Sequence, residues 1–440
     1  MIEVESSATT TASNTIVTPE EDSNHTGSIN HPHDRHTFTH LTYSRHHLVD
    51  VAMETIKIAE NGYYINNKGQ MVQLKEDLDY AVEHCVHYDH EFDFHEALKK
   101  YDELVKEEKE SHHHHRRGGI AATLKSPRRL LGSSHHNNKH PFPRTSFLVV
   151  SASWIESASQ LLRANSKSNG YYRVGVLNSG SGTTPGGRFL KGTVSQEDCL
   201  CRASLLFSCI SQPKFMSEGR FYGKNRSLRY GTSNCVIFSP DVPVIREDTV
   251  EVALLGVISR CCMIITNNMI GKLLDTYEKV SFVTIPAPNA FTTSSNTGKE
   301  YNDVDNEHRP KGIGRNISIC SFTSMDAETL DEKLEQKRTA LLASLSDRIH
   351  RALSAFVLGN CTDLVLPAFG CGVHGNDPSM VASVFRELLS DPNQFGGRFR
   401  TVVFAVPPCR KHNYQAFEAY FQKKEEVKKV PLIRGVTWDK

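Results

Sequence analysis

The segment "RVGVLNSGSGTTPGGRFLKGTVSQED", residues 173–198, passes from an apolar run through a glycine-rich stretch to a polar cluster. The apolar run is rich in β-branched residues and ends at Asn178, which is typical of a buried strand. From Gln196 the spacing predicts a helix that continues to Ser211. A strand, a glycine-rich turn and a helix in this order bring backbone N–H groups close to a phosphate or ribose. Such turns are common, so this one alone is weak evidence for a ligand.

A second segment, "DLVLPAFGCGVHGNDPSMVASVFREL" at residues 363–388, repeats this arrangement. A predicted strand at 363–370 is followed by closely spaced glycines, which leave several N–H groups uncovered by side chains. Asn376 or Asp377 is predicted to cap the next helix, with Pro378 in its first turn. A diphosphate suits such a loop. The segment matches neither the Walker A motif nor the Rossmann fingerprint.

The rest of the C-terminal region alternates short apolar runs with helical stretches. Further strands are predicted at 234–240, 279–288 and 400–407, and further helices at 330–358, 378–389 and 414–429. This alternation predicts an α/β fold of three layers, α/β/α, around a mixed sheet. Ligands in such folds bind at the carboxyl ends of the strands.

The chain divides by composition into four predicted regions. Residues 1–40 are Ser/Thr/Asn/His-rich, which predicts a disordered tail. Residues 41–111 carry three amphipathic patterns, "HHLVDVAMETIKIAENGYYI", "LKEDLDYAVEHCVHYDHEF" and "FHEALKKYDELVKEEKE", which predict an N-terminal helical extension. Residues 112–144 form a His-rich low-complexity loop, and 145–430 the main domain. Segment 249–272 fits either an extra buried strand and helix or an insertion.

The overall composition excludes several classes of protein. The 51 Lys and Arg balance 50 Asp and Glu, so the net charge of +1 gives no general attraction to nucleic acid or membranes. The 11 cysteines include no Cys-x-x-Cys pair, which favours free thiols in a reducing compartment. The N-terminal stretch has no apolar signal-peptide core, and no run approaches the about 18 apolar residues of a membrane span. These features predict a cytosolic or nuclear protein.

Four segments together resemble the microbial-type poly(ADP-ribose) glycohydrolases (PARGs), which are built on a macrodomain. "VLNSGSGTTPGGRFLKGTVSQEDCLCRAS" is similar to the family signature, in which a strand ending in Asn precedes Pro-Gly-Gly-Gly and then Gln-Glu-Glu. "LPAFGCGVHGNDP" resembles the family's diphosphate loop. "FSPDVPVIRED" and "VSFVTIPAPNA" resemble the segments between them, and "VAMETIKIAENGYYINNKGQMVQL" resembles the family's helical extension. The resemblance runs from about residue 45 to 406, apart from insertions near 110–140, 249–272 and 291–312.

The resemblance implies roles for the residues that match the motif. Asp198 would protonate the leaving ribose oxygen and then help to activate water, while Glu197 would hold the ribose hydroxyls beside the bond. Gln196 would brace the loop, and Gly186 and Gly187 would admit the backbone to the ribose and phosphate. The remaining expected ligand-binding residues are Asn178, Thr184, Arg188, Phe369, Gly370, Gly372, Val373, His374 and Gly375. No metal and no cofactor is expected.

This chemistry suits carboxyl groups. A glycosidic bond to ribose breaks through an oxocarbenium-like state, so the departing oxygen must be protonated and positive charge stabilised. A carboxyl group in an enclosed site can keep its proton near neutral pH. The expected substrate is poly(ADP-ribose) on modified proteins, and the expected protein is a monomer.

The sequence departs from the family pattern at four positions. Arg188 stands where the family has its third glycine, and Asp198 replaces the catalytic glutamate with a side chain shorter by about 1.5 Å. His374 replaces an aromatic residue, and Thr184 stands where the family tends to carry Asn. A misplacement of about 1 Å can cost on the order of 100-fold in rate. An inactive or weakly active module that binds ADP-ribose is therefore the alternative to the hydrolase.

Simpler interpretations exist for the same residues. Acids in the first turn of a helix, such as Glu197 and Asp198, are favoured by the helix dipole alone. The second loop fits a plain strand-to-helix turn. His84, His87 and His90 recur every three residues, which is the spacing of a metal-binding helix face, although such histidines are more often solvated.

Overall fold

The computed structural model describes residues 45–115, 142, 144–166, 172–228, 232–247, 271–291, 327–407 and 411–422. These residues all belong to one compact unit, Tyr43–Lys440. The predicted tail at 1–40, most of the His-rich loop and residues 249–270 lie outside the described residues. The predicted division into four regions therefore stays a prediction.

Nine strands are present in the described residues, two in a hairpin and seven in one sheet. The hairpin pairs β1 (Tyr63–Ile65) with β2 (Met71–Gln73). The sheet contains β3 (Val86–Tyr88), β4 (Ser146–Val150), β5 (Val174–Ser179), β6 (Val236–Arg246), β7 (Leu273–Ile285), β8 (Asp363–Leu366) and β9 (Thr401–Ala405). Its strand order is β3-β6-β7-β5-β8-β9-β4. Strand β6 runs in the opposite direction to the other six strands of this sheet.

Ten helices accompany the strands in the described part of the chain. They are α1 (Arg45–Asn61), α2 (Lys75–Glu83), α3 (Phe94–His115), α4 (Trp154–Asn165), α5 (Gln196–Ala203), α6 (Leu206–Ile210), α7 (Phe221–Ser227), α8 (Ala327–Leu358), α9 (Pro378–Ser390) and α10 (Lys411–Phe421). None of these helices has both the length and the apolar character that crossing a lipid bilayer requires.

The sheet is buried on both faces because its side chains alternate between two apolar cores. In β8, Val365 packs with the core of α1, α2 and α4–α6, whereas Leu364 and Leu366 pack with the core of α3 and α8–α10. In β9, Val403 and Phe404 divide in the same way. Period-two alternation with apolar residues on both sides is what a sheet between two helix layers requires. The prediction of a three-layer mixed α/β fold is confirmed.

The predicted helix Gln196–Ser211 is wrong in its continuity, since α5 and α6 are separate helices. Ser204 is extended (φ −136°, ψ 170°) and bridges to Val244 of β6. The N–H of Leu205 then donates to the Pro243 carbonyl oxygen at 2.9 Å. The break follows from pairing with a distant strand, which helical periodicity does not reveal.

The predicted single helix over "LKEDLDYAVEHCVHYDHEF" is also wrong. Helix α2 ends at Glu83, and Val86–Tyr88 add an edge strand to the sheet through antiparallel pairing with β6. The N-terminal region thus contributes to the central sheet. β4, α4 and the β1–β2 hairpin were not predicted, and β7 begins at Leu273, earlier than the predicted residue 279.

The topology brings both glycine loops to one edge of the sheet. β5 lies between β7 and β8, and the three strands run parallel, so their carboxyl ends are adjacent. The segment after β7 touches both loops. Gly180 N–H donates to the Ile285 carbonyl at 3.2 Å, and Ala290 N–H donates to the His374 carbonyl at 3.0 Å.

Candidate active site

The first loop ends in a capping box that fixes Asp198. The Ser195 hydroxyl accepts the Asp198 N–H at 3.4 Å, and Asp198 Oδ2 accepts the Ser195 N–H at 2.7 Å. Asp198 Oδ1 accepts the N–H of Arg188 at 2.9 Å. Only 2% of Asp198 is exposed. Both of its oxygens therefore bind the loop backbone, which ties the start of α5 to the glycine turn.

Glu197 is buried to a similar extent but is less completely bonded. Its Oε2 accepts the Ser181 N–H at 2.8 Å, whereas Oε1 has no hydrogen-bond partner among the described residues. Burial, at 3% exposure, raises the pKa of Glu197 to about 8, and the neighbouring Asp198 charge adds to the rise. The Ser181 hydrogen bond opposes the shift without cancelling it. Glu197 consequently holds a proton near neutral pH.

Gln196 connects α5 to the end of β5. Its side-chain Nε2 donates to the Leu177 carbonyl at 2.7 Å, and its Oε1 accepts the Ser179 N–H at 3.0 Å. The amide thus bonds to the strand as a neighbouring backbone would. The amide therefore holds the start of α5 against the end of β5.

Gly187 places the turn directly over the two carboxyl groups. Its φ is +59°, in the left-handed region that favours glycine. A Cβ atom built there would lie 3.1 Å from both Asp198 Oδ1 and Glu197 Oε2. The missing side chain therefore leaves the space from which a ligand reaches both carboxyl groups.

The other predicted residues of the first loop surround this space. Asn178 is fully buried on β5, where its Nδ2 donates to Thr284 Oγ1 at 3.2 Å, and its Oδ1 has no partner among the described residues. Thr184 is exposed, and its carbonyl accepts the Gly187 N–H at 3.1 Å. Arg188 follows with an exposed side chain.

The second loop is held open by Gly370 and Asn376. Gly370 has φ +71°, and a Cβ atom there would lie 2.1 Å from Asn376 Nδ2. Asn376 N–H donates to the Gly370 carbonyl at 3.2 Å, and its Nδ2 donates to Pro288 at 3.1 Å. Gly372 has no heavy atom within 4 Å of such a Cβ position, so this part of the loop is open.

Helix α9 begins directly behind this loop. Asp377 is the N-cap, since its Oδ1 accepts the Met380 N–H at 2.8 Å, and Pro378 occupies the first turn. The predicted cap is thereby confirmed at the second of the two positions considered. Within the described residues, the N–H groups of Gly372, Val373 and His374 have no acceptor. An N-terminal helix dipole and free N–H groups together favour an anion.

The comparisons with known proteins agree with this geometry. Residues 52–247 match the family model of the microbial-type PARG catalytic domain. The fold is similar to the crystal structure of poly(ADP-ribose) glycohydrolase from Thermomonospora curvata, at 26% sequence identity and a TM-score of 0.54, covering 86% of this chain and 100% of that chain. Over residues 52–247 the chain is therefore similar to the microbial-type PARG catalytic domain.

Two further structures are similar to this chain. One is the Thermomonospora curvata PARG bound to the inhibitor ADP-HPD, at 26% identity and a TM-score of 0.53, covering 85% of this chain and 99% of that one. The other is the Deinococcus radiodurans PARG in complex with ADP-ribose, at 25% identity and a TM-score of 0.48, covering 78% and 97%. A comparison with curated proteins gives no match.

The residues of the second loop differ in how far they are exposed to solvent. Phe369 is fully buried, so its side chain belongs to the core and only its backbone lines the loop. Val373 is 73% exposed at the tip of the loop. His374 is half-buried, and burial together with the Arg348 charge lowers its pKa, which keeps its imidazole neutral at pH 7.

Arg348 lies near His374 of the second loop and was not predicted from the sequence. From α8 it donates to the Pro286 carbonyl at 2.6 Å and to Thr232 Oγ1 at 2.8 Å, which fixes the chain where β7 ends. Burial lowers the pKa of Arg348 to about 10, so it stays charged at neutral pH. Its position in a long amphipathic helix gives no local signal of this role.

Tyr222 is a second missed residue. It is fully buried on α7, and its hydroxyl has no partner among the described residues. Burial and then the charge of Glu197 raise its pKa. Asn225, three residues further on α7, lies against the first loop, since its Cγ is 3.2 Å from the Cβ position of Gly182. Tyr222 therefore lies on the α7 face behind Glu197.

The three histidines with regular spacing do not share one helix face. His84 follows the end of α2, His87 lies on β3, and His90 lies beyond that strand. No group of three or more His, Cys, Asp or Glu residues in the described ranges is arranged to hold a metal ion. The break in the predicted helix is what separates these side chains.

Proposed function

We propose that this protein is a PARG-type hydrolase that cleaves ribose–ribose glycosidic bonds in poly(ADP-ribose) and releases ADP-ribose. The observation that carries the proposal is the buried pair Glu197 and Asp198 beneath the Gly187 turn, beside a second loop that favours an anion. The likeness to the Thermomonospora PARG, which binds the inhibitor ADP-HPD, supports this substrate class.

The second loop is proposed to bind the diphosphate of the terminal ADP-ribose. Gly372, Val373 and His374 offer backbone N–H groups, and the dipole of α9 adds positive potential at the same place. The neutral imidazole of His374, which is hydrogen-bonded to the Ala287 backbone, is proposed to stack on a flat group of the ligand. The first loop is proposed to receive the ribose at the carboxyl pair.

One proton is proposed to serve the carboxyl pair at neutral pH. It resides on Glu197 in the free protein, because burial raises the pKa of Glu197 to about 8, whereas both oxygens of Asp198 accept backbone N–H groups. In the complex with substrate the proton is proposed to pass to Asp198, which acts as the acid and base, while Glu197 holds the ribose hydroxyls.

The proposed reaction needs only the carboxyl pair and one water molecule. The pair gives its proton to the departing ribose oxygen as the bond to the anomeric carbon breaks. The resulting carboxylate stabilises the positive charge on that carbon. Water attacks the carbon and returns a proton to the pair, so the products are a ribose hydroxyl on each side.

The proposal is tested by a chain-shortening assay on poly(ADP-ribose). We expect wild type to release ADP-ribose and Asp198→Asn to lose at least about 100-fold of this activity. Glu387→Gln is the matched control, because Glu387 is exposed at the far end of α9. Melting curves of all three proteins separate loss of chemistry from loss of the capping box, which costs about 1 kcal/mol.

Two results would contradict the hydrolase. If Asp198→Asn turned over substrate as fast as wild type, Asp198 would not be the catalytic acid. A folded wild type that binds ADP-ribose in calorimetry but releases no product over hours would be a binding module instead.

The biological setting belongs to the same proposal. We propose that the substrate polymers are attached to modified proteins and that the hydrolase is a monomer in the cytosol or nucleus. The seven cysteines in the described ranges are all free and buried, which suits a reducing compartment. Light scattering and a fluorescent fusion in cells test the oligomeric state and the location.

A further inference from the structure

Arg188 places a positive charge immediately beside the carboxyl pair. Its N–H donates to Asp198 Oδ1 at 2.9 Å, so its backbone touches the acid assigned to the chemistry. Its side chain is exposed. A guanidinium group reaches about 6 Å from its own Cα. The Arg188 guanidinium is therefore within reach of a ligand bound at the carboxyl pair.

A second cation lies on the same turn, and a third, on α7, is hydrogen-bonded to the first loop. Lys191 is exposed and its N–H donates to the Arg188 carbonyl at 2.8 Å. Arg226 of α7 is exposed, and its Nε donates to the Thr183 carbonyl at 2.9 Å. We call Arg188, Lys191 and Arg226 the basic rim.

The charge of the basic rim is not neutralised within the described ranges, where none of its three side chains forms an ion pair. The protein as a whole carries a net charge of only +1. Three uncompensated cations around one turn are therefore a local feature and not a consequence of a basic protein.

The polymer has a second anionic group on this side. The bond to be cut joins the terminal ribose to the ribose of the next ADP-ribose unit, so the leaving group carries its own diphosphate. The diphosphate of the terminal unit is assigned to the second loop. That loop follows β8, whereas the loop that carries Arg188 and Lys191 follows the neighbouring strand β5. The diphosphate of the leaving ADP-ribose unit therefore still lacks an assigned binding site.

We propose that the basic rim binds the diphosphate of the leaving ADP-ribose unit and makes the protein selective for polymer over a single ADP-ribosyl group. This inference rests on the proposed function. Arginine suits the role because its planar fork donates two parallel hydrogen bonds to a phosphate. A glycine at position 188 offers no such contact.

The test compares two substrates that share the terminal unit. One is poly(ADP-ribose), and the other is ADP-ribose linked to nitrophenol, whose leaving group has no phosphate. We expect Arg188→Gln to lower the ratio of kcat/KM for polymer to kcat/KM for the nitrophenyl substrate about tenfold. We expect Arg188→Lys to retain part of the ratio, because it keeps the charge and loses the fork.

The matched control is Arg163→Gln. Arg163 is an exposed arginine at the end of α4, at the amino edge of the sheet and away from the basic rim. It is expected to leave both rates unchanged. The slope of log(kcat/KM) for polymer against log salt is expected to become shallower by about 1 in Arg188→Gln alone. Equal losses on both substrates, or an unchanged ratio and slope, would overturn the inference.

Binding measurements separate this inference from the proposed function. If wild type cuts neither substrate, the hydrolase proposal fails, and the dissociation constants for poly(ADP-ribose) and ADP-ribose still test the basic rim. A preference for polymer that Arg188→Gln removes would support it. Displacement of the polymer by single-stranded DNA of equal charge, at equal affinity, would indicate a general polyanion surface and contradict it.

Discussion

The two glycine loops have similar sequences of elements but opposite electrostatics. The first loop runs into α5, whose first turn holds the two buried carboxyl groups of Glu197 and Asp198. The second loop runs into α9, whose cap Asp377 leaves the preceding N–H groups free. Both are strand, glycine turn and helix. In the proposed function, the start of the following helix is what makes one loop suited to proton transfer and the other to binding an anion.

The largest effect on activity is expected for Glu197→Gln, which changes the first loop alone. A glutamine keeps the shape and can still hydrogen-bond the ribose hydroxyls, but it cannot supply an acidic proton, so we expect kcat to fall at least about 100-fold while the dissociation constant for ADP-ribose changes little. In wild type, activity should fall as pH rises through about 8, where Glu197 loses its proton. Steady-state rates across pH 5–9 and calorimetry of ADP-ribose measure both quantities.

The same substitution is also expected to change the stability of the folded protein, in a direction that depends on pH. The folded pKa of Glu197, about 8, lies above its ordinary value of 4.5, so the folded state binds more protons between these values. Wild-type stability is therefore lost as pH rises through this window. We expect Glu197→Gln to melt at a higher temperature than wild type at pH 8. An equal loss at all pH values would contradict the assignment of the proton.

The second test breaks the other loop with Gly370→Ala. Its positive φ and the 2.1 Å approach to Asn376 Nδ2 force the loop to move. We expect ADP-ribose affinity to fall about 5- to 30-fold, since the strain amounts to about 1–2 kcal/mol. Calorimetry measures the affinity.

Gly372→Ala is the matched control for the second loop. Its Cβ would enter open space, so we expect less than about a threefold change in affinity. If both variants reduce kcat and leave the affinity alone, the division of labour between the two loops is wrong.

The third test, Asp198→Glu, has the smallest expected effect. The longer side chain moves the carboxyl group about 1.5 Å toward the substrate while the capping box tolerates glutamate. We expect turnover to rise by up to about tenfold with an unchanged melting temperature. A slower variant with an intact fold would show that this loop is built around aspartate.

Local pattern was sufficient for much of the fold. Strands β5, β8 and β9 and helices α8 and α9 follow from apolar runs, periodicity and caps such as Asp377 and Pro378. The errors lie where pairing with distant residues overrides local preference. Ser204 is extended because Val244 lies beside it, and Val86–Tyr88 form a strand because β6 offers a free edge.

The candidate site was predictable to the same limit. The glycine spacing and the acids were readable from the sequence. The capping box was not predicted, although its Ser-x-x-Asp pattern is local. Tyr222 and Arg348 gave no such signal, because each acts on residues far away in the chain.

The sequence by itself determined the alternating apolar strands, the two glycine turns and the residue types that stand at their ends. These depend on short-range period and backbone conformation, which neighbouring residues specify. Only the tertiary structure decided that Glu197 holds a proton, that Asp198 binds two backbone N–H groups, and that Arg188 faces solvent beside them. Burial and charge proximity set those properties, and both arise only when β5, β7 and β8 bring their ends together.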